Sequence, residues 1–419
     1  MARRYLAAAG AAVLATVCGL CGQSPVAAAS GGTQGVTATT IRVGVPYVDV
    51  AATKAVGVDI NWGNVPDAYM SVIGTINAHG GINGRRIVPY ILAVDPTSPA
   101  PAATACTEMV QDNKVFAVIA PLQPACYLQS GVPVVGGITP VPINSGVAQN
   151  FSLAPPTNVY DKLQLTVYAK QGIFKNKKVG IFAGATTDEP EIPVVQSILK
   201  KLKVSVVATA IDSAPQQDLP ASDAQVETIA QRFQADGVNE VVAVGYGSAI
   251  WPNGLSASQS SYNPQWIATS EADLSGDVGG SNNPIYLKNV VTSSPLTSPA
   301  EIWTNAQTQK CVSQVRKDYP SDHINTYSAS APSSQVTWTG IEQACTDVGL
   351  FATIAKAAGK HLTVSSFVHA GYGLRNVTIP GQGAPISFGP NQPYALGPVF
   401  RVHYDSTTKT LNWASKSSA

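Results

Sequence analysis

Ile76-Asn77-Ala78-His79-Gly80-Gly81-Ile82-Asn83-Gly84-Arg85-Arg86-Ile87 stands between a helical pattern and a strand pattern. Upstream, Val65, Ala68, Tyr69, Val72, Ile73 and Ile76 recur near helical spacing, which predicts a helix over 65–78 with one apolar face. Gly80-Gly81 ends it, because glycine accepts the left-handed backbone that a helix C-cap needs. Asn83-Gly84 supplies a tight turn. Ile87 to Asp95 then reads as a buried strand, and Thr40 to Val45 as another ahead of the helix. Strand, helix and strand in this order open a parallel α/β sheet.

The rhythm continues outward. Val115 to Ala120 and Pro133 to Ile138 read as a third and fourth strand, and Gln123 to Leu128 as the start of a short helix. Pro155-Pro156 breaks the chain, and the pattern begins again. Helices are expected over Val159 to Gln171, Ile192 to Leu202 and Ser222 to Asp236, the last with a serine cap. Strands are expected over Lys177 to Phe182, Val204 to Ile211, Val241 to Val244 and Gln265 to Ala268. Two parallel α/β units therefore follow each other, split near residue 151. Val290 to Pro295 leads into a third block with helices Ala300 to Tyr319 and Val336 to Lys360. Short strands around Gly389-Pro390 and Leu396 to Pro398 precede a hairpin of Val399 to Tyr404 and Lys409 to Trp413.

The 419 residues carry a formal net charge of +1 with 12% charged residues. That balance offers no basic surplus for phosphates, so a nucleic-acid partner is not expected. Arg3-Arg4 and the apolar run Leu6 to Leu20, followed by Ala27-Ala28-Ala29, read as a signal peptide over 1–29, cleaved after Ala29. A twin-arginine signal is the alternative for Arg3-Arg4. Cys18 and Cys21 lie in the apolar run and leave with it. Their flanking residues fit a lipid-attachment box poorly, which favours a freely secreted or cell-surface chain over a lipid-anchored one. The remaining Cys106, Cys126, Cys311 and Cys345 are an even count, as expected of disulfides in an extracytoplasmic chain. Three connectivities are possible. Cys106–Cys126 with Cys311–Cys345 is favoured because each joins neighbouring segments of one unit. No close Cys-x2-Cys pair suggests zinc.

The stretch 76–87 resembles the signature of the type I periplasmic binding proteins, specifically the branched-chain amino acid binding family of ABC importers. Asp95 falls where that family has an aspartate, and the likeness runs from about residue 40 to 395. It implies an α/β fold of two Rossmann-like parallel-sheet lobes joined by a three-segment hinge. Lobe 1 would comprise 40–150 plus about 290–355, lobe 2 151–289 plus about 360–395, and 396–419 a C-terminal hairpin and tail. A hinge of that kind lets two lobes close on a ligand. The resemblance implies a monomeric binding protein without cofactor. It would capture a small polar or amphipathic ligand, an amino acid or related carboxylate, and hand it to an ABC permease in the membrane.

Parallel α/β sheets bind ligands outside the carboxyl ends of their strands. This selects the loops at Pro46 to Val48, Pro121 to Tyr127 and Gly137 to Thr139 in the first unit. In the second it selects Ala183 to Thr186, Gly245 to Ser248 and Ser270 to Asp273. By resemblance, Thr139 matches a threonine that binds the ligand carboxylate, while Tyr246 and Glu271 match the tyrosine and glutamate that close over its ammonium. The family's serine after the third strand is missing, and Leu122-Gln123-Pro124-Ala125 stands there. Gln123, or backbone groups opening the next helix, are the substitutes. Tyr47 and Trp62 are candidates for stacking on an apolar ligand part, as is Trp251.

A secreted hydrolase is the competing reading. It lacks support in motifs: Gly247-Ser248-Ala249 has the wrong flanks for a nucleophile elbow, the five histidines show no metal spacing, and no phosphate loop occurs. A ligand sensor on the same fold is a third reading, which sequence alone does not separate from a transport receptor.

Overall fold

A computed structural model describes residues 32–137, 150–215, 218–270, 274, 284–329, 331, 333–390, 392, 394–395 and 399–417. Alternation at period two builds two sheets from it. The first holds β1 (Thr40–Val48), β2 (Arg86–Val94), β3 (Ala117–Ile119), β4 (Val134–Val135) and β5 (Asn150–Phe151) in the order β2-β1-β3-β4-β5, all parallel. The second holds β6 (Val179–Ala183), β7 (Val206–Ile211), β8 (Glu240–Val244), β9 (Gln265–Ala268), β10 (Val290–Ser294), β11 (Phe400–Asp405) and β12 (Thr410–Ser417). Their order is β12-β11-β10-β9-β8-β6-β7. The final hairpin β11–β12 adds antiparallel to β10, and the other pairs are parallel.

Both faces of each sheet are covered, as a parallel sheet requires. In β8, Val241 and Ala243 enter one core while Val242 and Val244 enter the opposite one. In the first sheet, Ala117 and Ile119 pack under the helices Val65–Ala78 and Thr339–Ala357, and Val118 packs with Cys106, Met109 and Tyr127.

Three chain segments run between the two packed bodies. One joins β5 to the helix Thr157–Lys170, whose Leu165 and Tyr168 belong to the second sheet's core. Another joins β10 to the helix Pro299–Thr304, whose Trp303 belongs to the first. The last joins Ala395, in the first core, to β11.

Several local expectations are corrected. The stretch about 360–395, expected in the second lobe, packs with the first sheet. Leu362, Phe367, Leu374, Ile379 and Phe388 share its core, and Phe367 stands edge-on to Phe116 and Phe151. The single helix expected over 300–319 is two, Pro299–Thr304 and Ala306–Asp318, because Asn305 turns extended and caps the second through Gln307 N and Thr308 N. The helix expected to start at Ser222 starts at Leu219, capped by Asp218, and Ser222 is buried within it. β1 runs on to Val48, so Tyr47 lies inside the strand opposite Ala93. The short strand expected around 396–398 lies outside the described residues.

The two expected disulfides are present. Cys106–Cys126 and Cys311–Cys345 span Cα–Cα distances of 6.4 and 6.2 Å. No helix among the described residues is long and apolar enough to cross a membrane.

Candidate functional site

At the carboxyl ends of β6, β8 and β9, three loops merge into one surface. Any side chain on Gly184, after β6, would overlap the backbone nitrogen of Gly247, so two loops touch main chain to main chain there. Gly245, after β8, has φ +54°, and a Cβ on it would lie 2.8 Å from the Asp188 carboxylate. That carboxylate accepts the Tyr246 backbone N–H at 3.1 Å. The third loop is tied in by Thr269 Oγ1, which accepts the Gly245 N–H at 3.0 Å, and by Ser248 Oγ, which accepts the Ser270 N–H at 3.1 Å. Tyr246 caps the helix Gly247–Ala257 and sits half-buried against the second core. Short side chains and glycine contacts thus hold one aromatic residue at the strand ends.

The first sheet presents a comparable set. Asp49, just after β1, accepts from Ala51 N at 2.9 Å and Ala52 N at 3.3 Å and so starts the helix Val50–Ala55. After β3, Ala120 takes φ +46°, and the chain turns through buried Pro121 and half-buried Leu122 to exposed Gln123. Pro121, Leu122, Gln123 and Tyr127 line a small recess with Pro46 and Val94. After β4, Gly136 and Gly137 have φ +80° and +71°. Asp347, brought from the distant helix Thr339–Ala357, accepts the Gly137 N–H at 3.0 Å and the Tyr69 hydroxyl at 3.3 Å. Burial pushes the Asp347 carboxyl up to about 7, against the pull of these two donors. Nearby Glu342 is pushed up to about 8 by burial and by the Asp347 charge.

The expected site residues divide as follows. Gln123 and Tyr246 stand on loops at strand ends. Tyr47 and Trp62 are half-buried and pack against the first core. Burial, and then the Asp49 charge, raise the Tyr47 hydroxyl above its ordinary range. Tyr127 is buried, its hydroxyl set 3.7 Å from the Met109 sulfur and pushed up to about 12 by burial, so its ring is core. Trp251 is fully buried against Phe182 and Phe233, so it too is core. Thr139 and Glu271 lie outside the described residues. Asp347 and Asp188, which hold the loops, were missed. The one available signal was Asp347 itself, a single acid on the buried stripe Ala344, Val348 and Phe351 of an apolar helix.

Residues 40–407 match the model of a family described as periplasmic binding protein. None of the curated proteins matches the chain. Similar solved structures include a type 1 periplasmic binding protein from Bordetella pertussis Tohama I, with TM-score 0.60 and 14% identity over 90% of this chain and 99% of that one. A fatty acid ABC transporter substrate-binding protein from Thermomonospora curvata has TM-score 0.57 and 13% identity, covering 92% of this chain and 94% of that one. A branched-chain amino acid transporter substrate-binding protein from Streptococcus pneumoniae, in complex with isoleucine, has TM-score 0.57 and 14% identity, covering 89% and 98%. At these identities the structural likeness speaks to the fold alone.

Proposed function

Since the chain belongs to the periplasmic binding protein family, we propose that it is an extracytoplasmic solute-binding protein that delivers a small polar or amphipathic molecule to an ABC importer. The observation that carries this reading is the pair of glycine-built loop sets at the carboxyl ends of the parallel strands of two separate sheets, with three chain segments running between them. The ligand sits between the two loop sets and is released unchanged. The first lobe comprises the body around β1–β5 together with the returning stretch about 299–395, and the second comprises β6–β12 with their helices. Closing the lobes buries the ligand, and the closed form is the one the permease accepts.

An amino acid or a related carboxylate is the ligand class proposed. Isoleucine in the Streptococcus pneumoniae protein and the fatty acid role of the Thermomonospora curvata protein mark the range open to the fold. A charged head can be held by backbone N–H groups and by Tyr246 with Glu271, and its apolar part by Tyr47 or Trp62. A micromolar affinity corresponds to about −8 kcal/mol, within reach of a few charge-assisted hydrogen bonds and some aromatic burial. Native mass spectrometry of freshly purified protein, followed by a thermal-shift screen of amino acids, small carboxylates and aromatic acids, tests the reading. A ligand that raises Tm and is recovered intact supports it. Chemical turnover of the ligand overturns it in favour of an enzyme.

A further inference from the structure

We propose that the groove between the helices Val65–Ala78, Ala306–Asp318 and Thr339–Ala357 is a second ligand site, built for an amphipathic organic anion. The groove encloses about 780 Å³ and is closed on its remaining side by residues 378–380. Small-molecule sites commonly measure roughly 300–1,000 Å³. Val72, Ile76 and Ile379 give it an apolar lining, and Lys310, Lys356 and His79 also line it. No aspartate or glutamate does.

Two of the three cationic side chains share one end. The Asn83 amide donates to the Ala355 and Lys356 carbonyls at 3.3 and 3.2 Å, which brings Lys356 to the end where His79 stands. Lys310 lines the other end, because the Cys311–Cys345 bridge sets its helix against Cys345, eleven residues and roughly 16 Å of helix before Lys356. Among the described residues neither lysine has an acidic partner. His79 Nδ1 is engaged by the Thr75 carbonyl at 2.7 Å, leaving Nε2 as its second polar atom. An anionic head at Lys356 and His79 therefore lays the tail over Ile76 and Val72, toward the Cys311–Cys345 bridge.

The walls are fixed before any ligand arrives. Cys311–Cys345 staples two of the helices, and the 378–380 segment is anchored where Thr308 Oγ1 accepts the Gly381 N–H at 2.8 Å. A preformed groove spends little binding energy on ordering its walls. It is also distinct from the loops of the proposed solute cleft. The helix Val65–Ala78 returns from the carboxyl end of β1 to the amino end of β2, so His79 and Lys356 lie at the sheet edge opposite Gly136 and Gly137.

The test is a calorimetric titration of the full chain with sodium decanoate and, separately, with acetate. Decanoate should bind, acetate at least tenfold more weakly. The variant Lys356→Glu, which changes an exposed side chain, should weaken decanoate at least tenfold at unchanged Tm. Tyr246→Ala, in the solute cleft, should leave decanoate binding intact. Absence of binding, equal binding by Lys356→Glu, or loss of binding in Tyr246→Ala overturns the proposal, the last by assigning decanoate to the cleft.

Discussion

The Asp347 carboxylate holds the backbone of Gly137 and fills the space that a side chain on Gly136 would need. Its Oδ1 accepts the Gly137 N–H at 3.0 Å, and a Cβ on Gly136 would overlap that same oxygen. Gly136 also has φ +80°, where an L side chain is strained. Gly136→Ala is therefore expected to destabilise the fold by about 2–3 kcal/mol, from backbone strain and overlap together. Asp347→Ala strands the half-buried Gly137 N–H and the buried Tyr69 hydroxyl, each unmade bond costing about 1–3 kcal/mol. Asp347→Asn keeps a carbonyl oxygen for Gly137 and should cost less than Asp347→Ala. Urea unfolding of the three variants checks the order, and an alanine variant at 347 as stable as wild type would remove the carboxylate from its role in the loop.

Stability should fall as pH rises from about 5 to 8. Asp347 and Glu240 are pushed up to about 7 and Glu342 to about 8, in each case first by burial. Lys177, 3.3 Å from Glu240, only partly reverses the effect. An unfolded carboxyl titrates near ~4. A group whose folded pKa is raised contributes stability fully present below the unfolded value and lost as pH climbs through the folded one. Each such carboxyl contributes a slope of at most about 1.4 kcal/mol per pH unit inside that window. Asp95 and Asp405 act oppositely: hydrogen bonds from Thr97, and from Thr407 and Thr408, hold them low, so their contribution is lost in acid. The Tm should peak near ~pH 5 and decline toward pH 8, with a shallower decline in Glu240→Gln. A Tm that rises between pH 5 and pH 8 would contradict this account.

The turn at 80–84 was legible because its chemistry is local. Gly80, Gly81, Asn83 and Gly84 all take positive φ, and only glycine fits at 81, where a Cβ would overlap the Arg85 carbonyl. Asn77 in the same motif had no assigned reason; its amide bonds Ile87 N and O at 2.7 and 2.9 Å and so ties the helix end to β2. What spacing could not show is which body a later segment joins. Phe367 and Phe388 lie more than two hundred residues from Phe151, the ring they meet, and helical or strand spacing in 360–395 is the same on either lobe. The loop supports were hidden for the same reason. Asp188 and Asp347 act on backbone 58 and 210 residues away. Trp251 is an aromatic candidate in the sequence, yet its helix turns it fully into the core.

The disulfides should matter to the unfolded chain more than to the folded one. They close loops of 20 and 34 residues. Loop-closure entropy assigns about 3 kcal/mol to the first and about 4 kcal/mol to the second. Cys106→Ala/Cys126→Ala and Cys311→Ala/Cys345→Ala should each lower the urea midpoint, the second pair more. Peptide mapping without reduction should recover the two expected cross-linked peptides. Recovery of a Cys106–Cys311 or Cys106–Cys345 peptide would refute the pairing.

Binding and stability should separate at Tyr246 and Trp251, five residues apart on either side of a helix start. Trp251 has no exposure and packs on Phe182, Phe233 and Tyr262, so Trp251→Ala should cost about 3–5 kcal/mol. Tyr246 is half-buried on a loop whose backbone N–H is held by Asp188. Tyr246→Ala should therefore keep most of the stability and lose affinity for the ligand recovered with the protein. Glu271→Gln, at the position matched to the family's ammonium-binding glutamate, should weaken an amine-bearing ligand tenfold or more, about 1.4 kcal/mol. It should barely affect a ligand that lacks an amine, because the lost term is a charge pair in a closed, dry site. Calorimetric titration of both variants with one amino acid and its deaminated analogue reads the difference. Equal losses for the two ligands in Glu271→Gln would place that carboxylate away from the ammonium and leave Tyr246 as the cleft's only tested contact.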